Sequence, residues 1–361
     1  MAYAGIAYSG DHQSIPTRFK YTTRFEETFH KKGTSASATL YQDVLQRPPT
    51  ALSLVPQIAE LKGRDQAVAV ALVLSSETVS TEKFGNLYKL FVQLRGQVLF
   101  FDFKSMAVVR SYPLNFAYLD VLNHEARPDE IDERVRAVFL GVQDKRGFFA
   151  RFAEKLQSAT LPSGPPRFLQ ITKVAVAPDA LALMPKSLTD QPMGIETWLA
   201  DVFAEAISSR TGTPLLPFAN GDAYGKLVVT VADGAVYELK LPKPDYELAL
   251  DLTGLKKVKF GDVPAGTSFI YGAFAGLRLE DPFLPKVYLN AAFKNGETKV
   301  VPNSQQTVDD FPAFQDAMRG LFVKFSETLA GTNTSWLKSA SATADIDKQM
   351  IATRELLKSC R

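Results

Sequence analysis

The stretch Tyr88–Phe116, YKLFVQLRGQVLFFDFKSMAVVRSYPLNF, decides the fold class of this chain. Apolar residues alternate with others from Leu90 to Arg95, which is the period of a strand with one buried face. The run Val98–Phe103 is apolar almost throughout, as in a strand that is covered on both faces. Lys104 and Ser105 mark the turn into a return strand. The stretch therefore predicts adjacent strands joined by a tight connection.

A second, weaker version of this pattern returns in the second half of the chain. Asp233-Gly234 and Asn295-Gly296 each separate two strand-like runs, and both dipeptides are typical of tight hairpin turns. On this interpretation Phe103-Lys104-Ser105 corresponds to Phe293-Lys294-Asn295. The repeat predicts an α+β protein of two tandem, duplicated modules, each a mixed sheet with a long hairpin and packed helices. The alternative is that two unrelated α/β segments resemble each other at this level of detail.

Leu161-Pro-Ser-Gly-Pro-Pro166 is the clearest linker, because three prolines and a glycine within six residues stop both helices and strands. We therefore predict a first module over 1–160, a linker over 161–167 and a second module over 168–330. Residues 331–361 are predicted to form a flexible tail with a short amphipathic helix. Because a free helix of that length is marginal in water, it should dock on its own module or on a partner.

The spacing of apolar residues from Phe314 to Leu329 predicts a helix that closes the second module. Phe322, near its middle, is expected to face a sheet that contains Val287, Leu289 and Val300. The helix is thus predicted to supply core to the second module.

Composition excludes several classes of protein. The chain has 361 residues, is 46% hydrophobic and 22% charged, and carries a net charge of +2, so it is globular and gives no electrostatic case for nucleic acid. No apolar run reaches the ~18 residues of a membrane-spanning helix, which predicts that there is no transmembrane segment. Cys360 is the only cysteine, so an internal disulfide and a thiolate metal site are excluded.

The amino-terminal residues, MAYAGIAYSGDHQ, lack the basic region and the apolar core of a signal peptide. We expect a periplasmic or secreted protein whose signal peptide is absent from this sequence. A cytoplasmic protein is the alternative.

No motif in the sequence supplies a nucleophile together with its base. The chain has no G-x-S-x-G, no phosphate-binding loop and no G-x-G-x-x-G. Asp11-His12 is the only adjacent acid–histidine pair and is the weak catalytic candidate; a solvated turn is the plainer interpretation. His30 and His124 have no second ligand at helical spacing. We therefore predict no metal and no cofactor, and we favour a protein that is not an enzyme.

Two sets of residues are candidates for binding. Lys256, Lys257 and Lys259 are the one tight basic cluster and could attract an anionic surface, a glycan or a lipid headgroup; an edge strand guarded by lysines is the plainer interpretation. The second set lies at helical spacing near the carboxy terminus and could contact a partner: Ile346, Met350 and Leu357.

The segments VLFFDFKSMAVVRSYPL (98–114) and SSRTGTPLLPF (208–218) resemble the α/β modules of bacterial envelope lipoproteins, such as the curli secretion-channel family and the TolB amino-terminal domain. The resemblance implies a non-enzymatic protein-interaction or assembly module, from a bacterial envelope or secretion-related system. We expect a protein partner or self-association, with peripheral membrane contact as a further option. A hydrolase with a cleft between its lobes and a secreted effector are the alternatives.

Overall fold

A computed structural model describes residues 1–10, 12–61, 67–84, 86–143, 145–161, 164–190, 193–218, 226–231, 235–303 and 308–361. Internal contacts divide the chain into two compact units. Met1–Pro166 with Ala223–Lys243 forms unit 1, and Arg167–Asp222 with Pro244–Arg361 forms unit 2. Unit 1 therefore includes a segment that the sequence assigns to the second module. The module and linker limits drawn from the sequence stay a prediction.

The protein is a mixed α+β protein with two main sheets and packed helices. The strands are β1 Ala2–Ser9, β2 Val68–Phe84, β3 Leu87–Asp102, β4 Ala107–Leu122, β5 Gly141–Val142, β6 Lys145–Arg146, β7 Leu169–Val176, β8 Lys226–Val231, β9 Val236–Lys240, β10 Tyr246–Val263, β11 Gly266–Asp281 and β12 Lys286–Pro302. The helices are α1 Ile15–Arg18, α2 Lys20–His30, α3 Ala36–Gln46, α4 Pro128–Leu140, α5 Phe148–Ser158, α6 Pro178–Leu181, α7 Lys186–Thr189, α8 Gly194–Thr211, α9 Phe311–Ala330, α10 Leu337–Ala340 and α11 Ile346–Ser359.

In unit 1, β1 lies parallel to β2, and β2, β3 and β4 follow as antiparallel neighbours. The helices cover one face of this sheet, and their core is rich in phenylalanine. Phe25 stacks on Phe139 at 4.4 Å, and Phe139 packs against Phe149 at 5.4 Å. The amino end of α2 is capped from the sheet, because Glu77 on β2 accepts hydrogen bonds from the N–H groups of Tyr21 and Thr22.

The hairpin of β8 and β9 closes the sheet of unit 1. β8 pairs with β1, and β9 pairs with β4 at Ala107, so the strand order β1-β2-β3-β4-β9-β8 returns to β1. Leu99 and Phe101 on the face opposite the helices are therefore buried, as is Leu239 of the hairpin. The hairpin thus covers the second face of Val98–Phe103. This confirms the prediction from the sequence that the strand is covered on both faces.

Unit 2 repeats this arrangement without the closing hairpin. β7 lies parallel to β10, and β10, β11 and β12 are antiparallel neighbours. Helices α8, α9 and α11 cover one face, where Phe203 of α8 lies 4.8 Å from Phe322 of α9. Phe293 of β12 stacks on Trp336 at 6.2 Å, which places the segment after α9 on the same core.

The two units agree in register as well as in strand order. The turn Asp102–Ala107 in unit 1 matches Asp281–Lys286 in unit 2, because both aspartates accept hydrogen bonds from the N–H groups of the second and third residues that follow them. The β-bulge between β3 and β4 and the one between β11 and β12 lie at the same distance from these turns. On this register Leu99 and Phe101 correspond to Arg278 and Glu280. Polar residues at these positions explain why the sheet of unit 2 stays open.

The hairpin predicted at Asn295-Gly296 is wrong. β12 runs without a break from Lys286 to Pro302, and Asn295 lies opposite Ala273 in the middle of this strand. Its side chain is buried, donates to the carbonyl of Ala317 at 3.0 Å and accepts from Lys324 at 2.8 Å. The asparagine therefore serves contacts with α9 and makes no turn, and the correspondence of 293–295 with 103–105 is wrong as well.

The other predicted hairpin is described in part. Asp233-Gly234 lies outside the described residues, while the strands that flank it, β8 and β9, are antiparallel neighbours. They belong to the sheet of unit 1 and not to a sheet of the second module.

The predicted tail contains the expected helix, α11, which packs on unit 2. Met350, Leu356 and Leu357 of α11 are buried in the core of unit 2. The tail covers the free edge of β12, where Gln349 accepts the N–H of Asn290 at 2.8 Å. Arg354 donates to the carbonyl of Leu329 at the end of α9. These contacts give partners to backbone groups of β12 and of the end of α9.

The predicted packing of α9 holds for Phe322 and Leu289, which are buried in the same core cluster. It is wrong for Val287 and Val300, which are 44% and 47% exposed. These two valines do not belong to the face that α9 covers.

Candidate interaction surfaces on the two arms

In each unit, we call the ends of the three antiparallel strands that lie away from the turns Asp102–Ala107 and Asp281–Lys286 the arm. The arm of unit 1 is the part of β2, β3 and β4 nearest Leu87 and Leu122. On the face opposite the helices it carries a cluster that we call the first arm surface: Leu87, Phe91, Leu119 and Val121. Phe91 lies directly opposite Leu119 in the sheet, and Leu119 and Val121 are 58% and 51% exposed. Leu87, Leu119 and Val121 are therefore exposed apolar side chains on one face, which they share with Lys89 opposite Val121.

The arm of unit 2 is the part of β10, β11 and β12 nearest Val263 and Gly266. The same face carries the second arm surface: Val258, Val263, Ile270 and Val300. Val258 lies opposite Ile270 and is 56% exposed, and Val300 lies opposite Ser268. Phe260, the extra residue of a β-bulge in β10, adds a ring that is 72% exposed.

The two arm surfaces occupy equivalent positions. In the common register of the two units, Phe91 corresponds to Ile270 and Val121 corresponds to Val300. The outer face of unit 2 is polar closer to its turn, at Arg278 for example, so the fold does not require an apolar outer face. Exposed apolar clusters of this kind mark interaction sites in proteins that are otherwise well packed.

The predicted basic cluster lies beside the second arm surface, and its lysines point to different faces of β10. Lys256 is on the outer face, where its Nζ lies 5.5 Å from the ring centre of Phe274. Lys257 and Lys259 pair with Tyr271 and Phe269 on the other face, as strand alternation predicts. Lys259 contacts Asp262 at 2.8 Å, and this contact lowers the pKa of the Asp262 carboxyl.

Lys257 belongs to a small polar network at the start of α9. Its Nζ lies 2.7 Å from Oδ1 of Asp310, the residue before the helix, and 4.4 Å from the ring centre of Phe269. Tyr271 donates its hydroxyl proton to the same Asp310 oxygen at 2.6 Å. Burial, together with this hydrogen bond to a carboxylate, raises the pKa of the Tyr271 hydroxyl. The network ties β10 and β11 to α9, and a ligand role for Lys257 stays a prediction.

The predicted carboxy-terminal contact residues lie on the inner side of unit 2. Met350 and Leu357 are each 2% exposed, and Ile346 is partly buried against the same core. The helix therefore docks on its own unit, which is one of the two outcomes that the sequence left open. Ile351, on the solvent side of α11, is 57% exposed.

The weak catalytic candidates are not assembled into a site in the part of the chain that is described. His12 lies exposed in a short 3-10 helix, His12–Ser14, and Asp11 lies outside the described residues. Among the described residues, no group of three or more His, Cys, Asp or Glu side chains could hold a metal ion. Within the same residues, no helix is both long and apolar enough to cross a membrane.

Sequence reasoning identified the strands of both arms but not their exposed surfaces. Leu119 and Val121 alternate with Asp120, and Val258 and Val263 stand among Lys259 and Asp262, so neither arm shows a continuous apolar run. In Val98–Phe103, by contrast, nearly every residue is apolar, and that strand is covered on both faces. The exposure of the arm residues is visible only in the sheet topology.

No protein-family model matches this chain, and no curated protein matches it. Among solved structures, a minor lipoprotein from Acinetobacter baumannii matches with 8% identity and a TM-score of 0.23, over 50% of this chain and 99% of its own. A Xanthomonas campestris protein of the DUF330 family matches with 14% identity and a TM-score of 0.24, over 49% of this chain and 92% of its own. A hypothetical protein from Chlamydia trachomatis matches with 12% identity and a TM-score of 0.24, over 47% and 99%.

The likeness to bacterial lipoproteins is therefore distant and extends over about half of this chain. Because the TM-scores are low, it carries no conclusion about function. The finer resemblance to the curli secretion-channel family and to the TolB amino-terminal domain stays a prediction.

Proposed function

We propose that this chain is a non-enzymatic assembly module of a bacterial cell envelope, and that two copies bind each other through the arm surfaces. The observation that carries the proposal is the exposed apolar cluster at the same place on both arms. The envelope setting rests on the resemblance drawn from the sequence, and fractionation of the producing cell tests it separately.

The areas involved favour an interaction that uses both arm surfaces. Seven half-exposed apolar side chains on the two arms present roughly 500–600 Å² of apolar surface, judged from typical side-chain areas. Stable protein interfaces bury about 800 Å² on each partner, of which roughly 450 Å² is apolar, so one arm surface alone falls short of that apolar area. A second copy of this chain carries the same two surfaces, so contacts between copies can engage each of them without any further partner.

Sheet geometry permits such a contact. Two sheet faces pack about 10 Å apart when their side chains interdigitate, and β-branched and aromatic residues are suited to this packing. Val121, Val258 and Val300 are β-branched residues that stand on the exposed faces. The first arm surface of one copy is therefore proposed to pack on the second arm surface of the other.

Sedimentation velocity tests this function. The wild-type protein should show a sedimentation coefficient that rises with concentration, and the double variant Val258→Thr with Val300→Thr should remain monomeric. Threonine keeps the β-branched shape that strands favour, so the variant should fold. Val236→Thr is the matched control, because Val236 is 54% exposed on β9 and outside both arm surfaces. A wild-type protein that stays monomeric, or a double variant that associates equally well, would contradict the proposal.

A further inference from the structure

A second exposed apolar feature lies at the other end of the strands that form the arm of unit 2. The turn between β11 and β12 reads Asp281-Pro-Phe-Leu-Pro-Lys286, and Phe283 and Leu284 are 68% and 59% exposed. β11 has 16 residues, so at about 3.3 Å per residue this turn is roughly 50 Å from the far end of the arm. It is therefore a surface separate from the arm of unit 2.

The fold does not require apolar residues at this turn. The equivalent turn of unit 1 has Lys104 and Ser105 where unit 2 has Phe283 and Leu284. The aspartate contact is the same in both turns, since Asp102 accepts from the N–H of Lys104 at 2.9 Å and Asp281 accepts from the N–H of Phe283 at 2.9 Å. Because a polar pair in unit 1 is held by this same contact, the contact does not require Phe283 and Leu284 to be apolar.

The turn is also held in one shape. Asp281 accepts a second hydrogen bond from the N–H of Leu284 at 3.0 Å. Pro282 and Pro285 flank the two apolar residues, and each fixes its own backbone torsion. A turn that already has its bound conformation loses little conformational entropy when its side chains bind to another surface.

The surroundings of the turn suit the interface of a lipid bilayer. Phe283 and Leu284 are adjacent at the apex of a hairpin. Such a projecting hairpin can enter the deformable surface of a bilayer. Next to them, the Nζ of Lys286 lies 4.4 Å from the ring centre of Tyr288. Tyrosine and lysine with an apolar neighbour are the residues that anchor proteins at the headgroup level.

The charges near the turn are largely engaged within the protein. Arg278 contacts Glu280 at 2.6 Å, and the Asp281 carboxylate accepts the two backbone N–H groups described above. The contact should therefore be driven by apolar insertion and should not require an anionic membrane.

We propose that the turn Asp281–Lys286 inserts Phe283 and Leu284 into the surface of a phospholipid bilayer, so that unit 2 makes a peripheral, reversible membrane contact. Insertion of this kind buries apolar side chains about 5–10 Å deep, at the boundary between headgroups and acyl chains. The arm of unit 2 would then extend from the membrane surface with its own apolar cluster free.

Flotation with vesicles of phosphatidylcholine tests this inference on the full chain. The informative variant carries Phe283→Lys and Leu284→Ser, which are the residues of the equivalent turn in unit 1. Its partition onto vesicles should be at least roughly tenfold lower than that of the wild type, since two large apolar groups are removed. The control variant, Val258→Thr with Val300→Thr, should float like the wild type.

A second measurement reads insertion directly. Cys360, the sole cysteine, is buried, so an environment-sensitive dye can be attached at Phe283→Cys without competition from an exposed thiol. On addition of vesicles its emission should shift to the blue, whereas the dye at Lys104→Cys should not respond. A wild-type protein that does not float, a double variant that floats equally well, or a dye at position 283 that stays in water would each overturn the proposal. Any of these results would leave self-association through the arms intact.

Discussion

Replacement of Met350 by alanine separates a docked carboxy-terminal helix from a flexible tail. Met350 is 2% exposed and belongs to the core of unit 2, while the next residue, Ile351, is 57% exposed on the other side of α11. Both substitutions shorten a side chain in the same helix, but only Met350→Ala removes apolar contacts from the core.

The size of the effect follows from burial. Truncation of a buried methionine to alanine typically costs about 2–5 kcal/mol, because it removes apolar contacts and leaves a cavity. Exposed substitutions usually change the free energy of unfolding by no more than about 0.5 kcal/mol. We therefore expect Met350→Ala to destabilise unit 2 by about 2–5 kcal/mol and Ile351→Ala to have almost no effect.

Tryptophan fluorescence during urea denaturation is a suitable assay, because it reports unit 2 alone. The chain has two tryptophans, Trp198 and Trp336, and both belong to unit 2. Trp336 stacks on Phe293, and Trp198 is buried in α8. If Met350→Ala and Ile351→Ala shift the midpoint equally, or if neither shifts it, the helix is not docked and the flexible tail predicted from the sequence is correct.

Two further predictions concern stability. Phe322→Ala should cost about 3–5 kcal/mol in the same assay, whereas Val287→Ala, at a position that is 44% exposed, should cost under about 1 kcal/mol; equal losses would contradict the assigned faces. Burial raises the pKa of the Glu26 carboxyl, so the charged form disfavours the folded state, and stability should fall as pH rises through that raised pKa. Glu26→Gln should therefore gain thermal stability relative to wild type at pH 7 but not at pH 4, measured by circular dichroism; a gain at pH 4 that is equal or larger would contradict this sign.

The parts of the fold that the sequence predicts correctly are those in which local pattern and burial agree. Val98–Phe103 is apolar on two faces and is covered on two faces. The spacing from Phe314 to Leu329 gives a helix with one buried side, which the structure confirms in α9. In both cases neighbouring residues alone carry the information.

The errors arise where the deciding contact is distant in sequence. Asn295-Gly296 has turn chemistry, but Asn295 is held inside a strand by Ala317 and Lys324 of α9. The turn that joins β11 to β12 begins at Asp281, whose carboxylate accepts the N–H groups of Phe283 and Leu284. β8 and β9 join the sheet of unit 1 although the linker that precedes them suggests the second module.

The candidate surfaces were the least predictable part. The sequence predicts that both Val300 and Leu289 lie in the sheet that Phe322 faces. The register of β11 with β12 shows that their side chains point to opposite faces of this sheet. The sequence predicts that Met350 could contact a partner. It does not show that the tail covers the free edge of β12.

Disulfide trapping between copies tests the assembly proposal most directly. Chains that carry Val121→Cys and Val300→Cys would be mixed and oxidised mildly, and Lys348→Cys, exposed on α11, would serve as the control. Because a disulfide requires Cβ atoms about 3.5–4.5 Å apart, it forms readily only where the surfaces meet. We expect a covalent dimer of Val121→Cys with Val300→Cys that forms much faster than any product of the control. If no combination of the arm cysteines reacts faster than Lys348→Cys, copies of this chain do not bind each other through their arms.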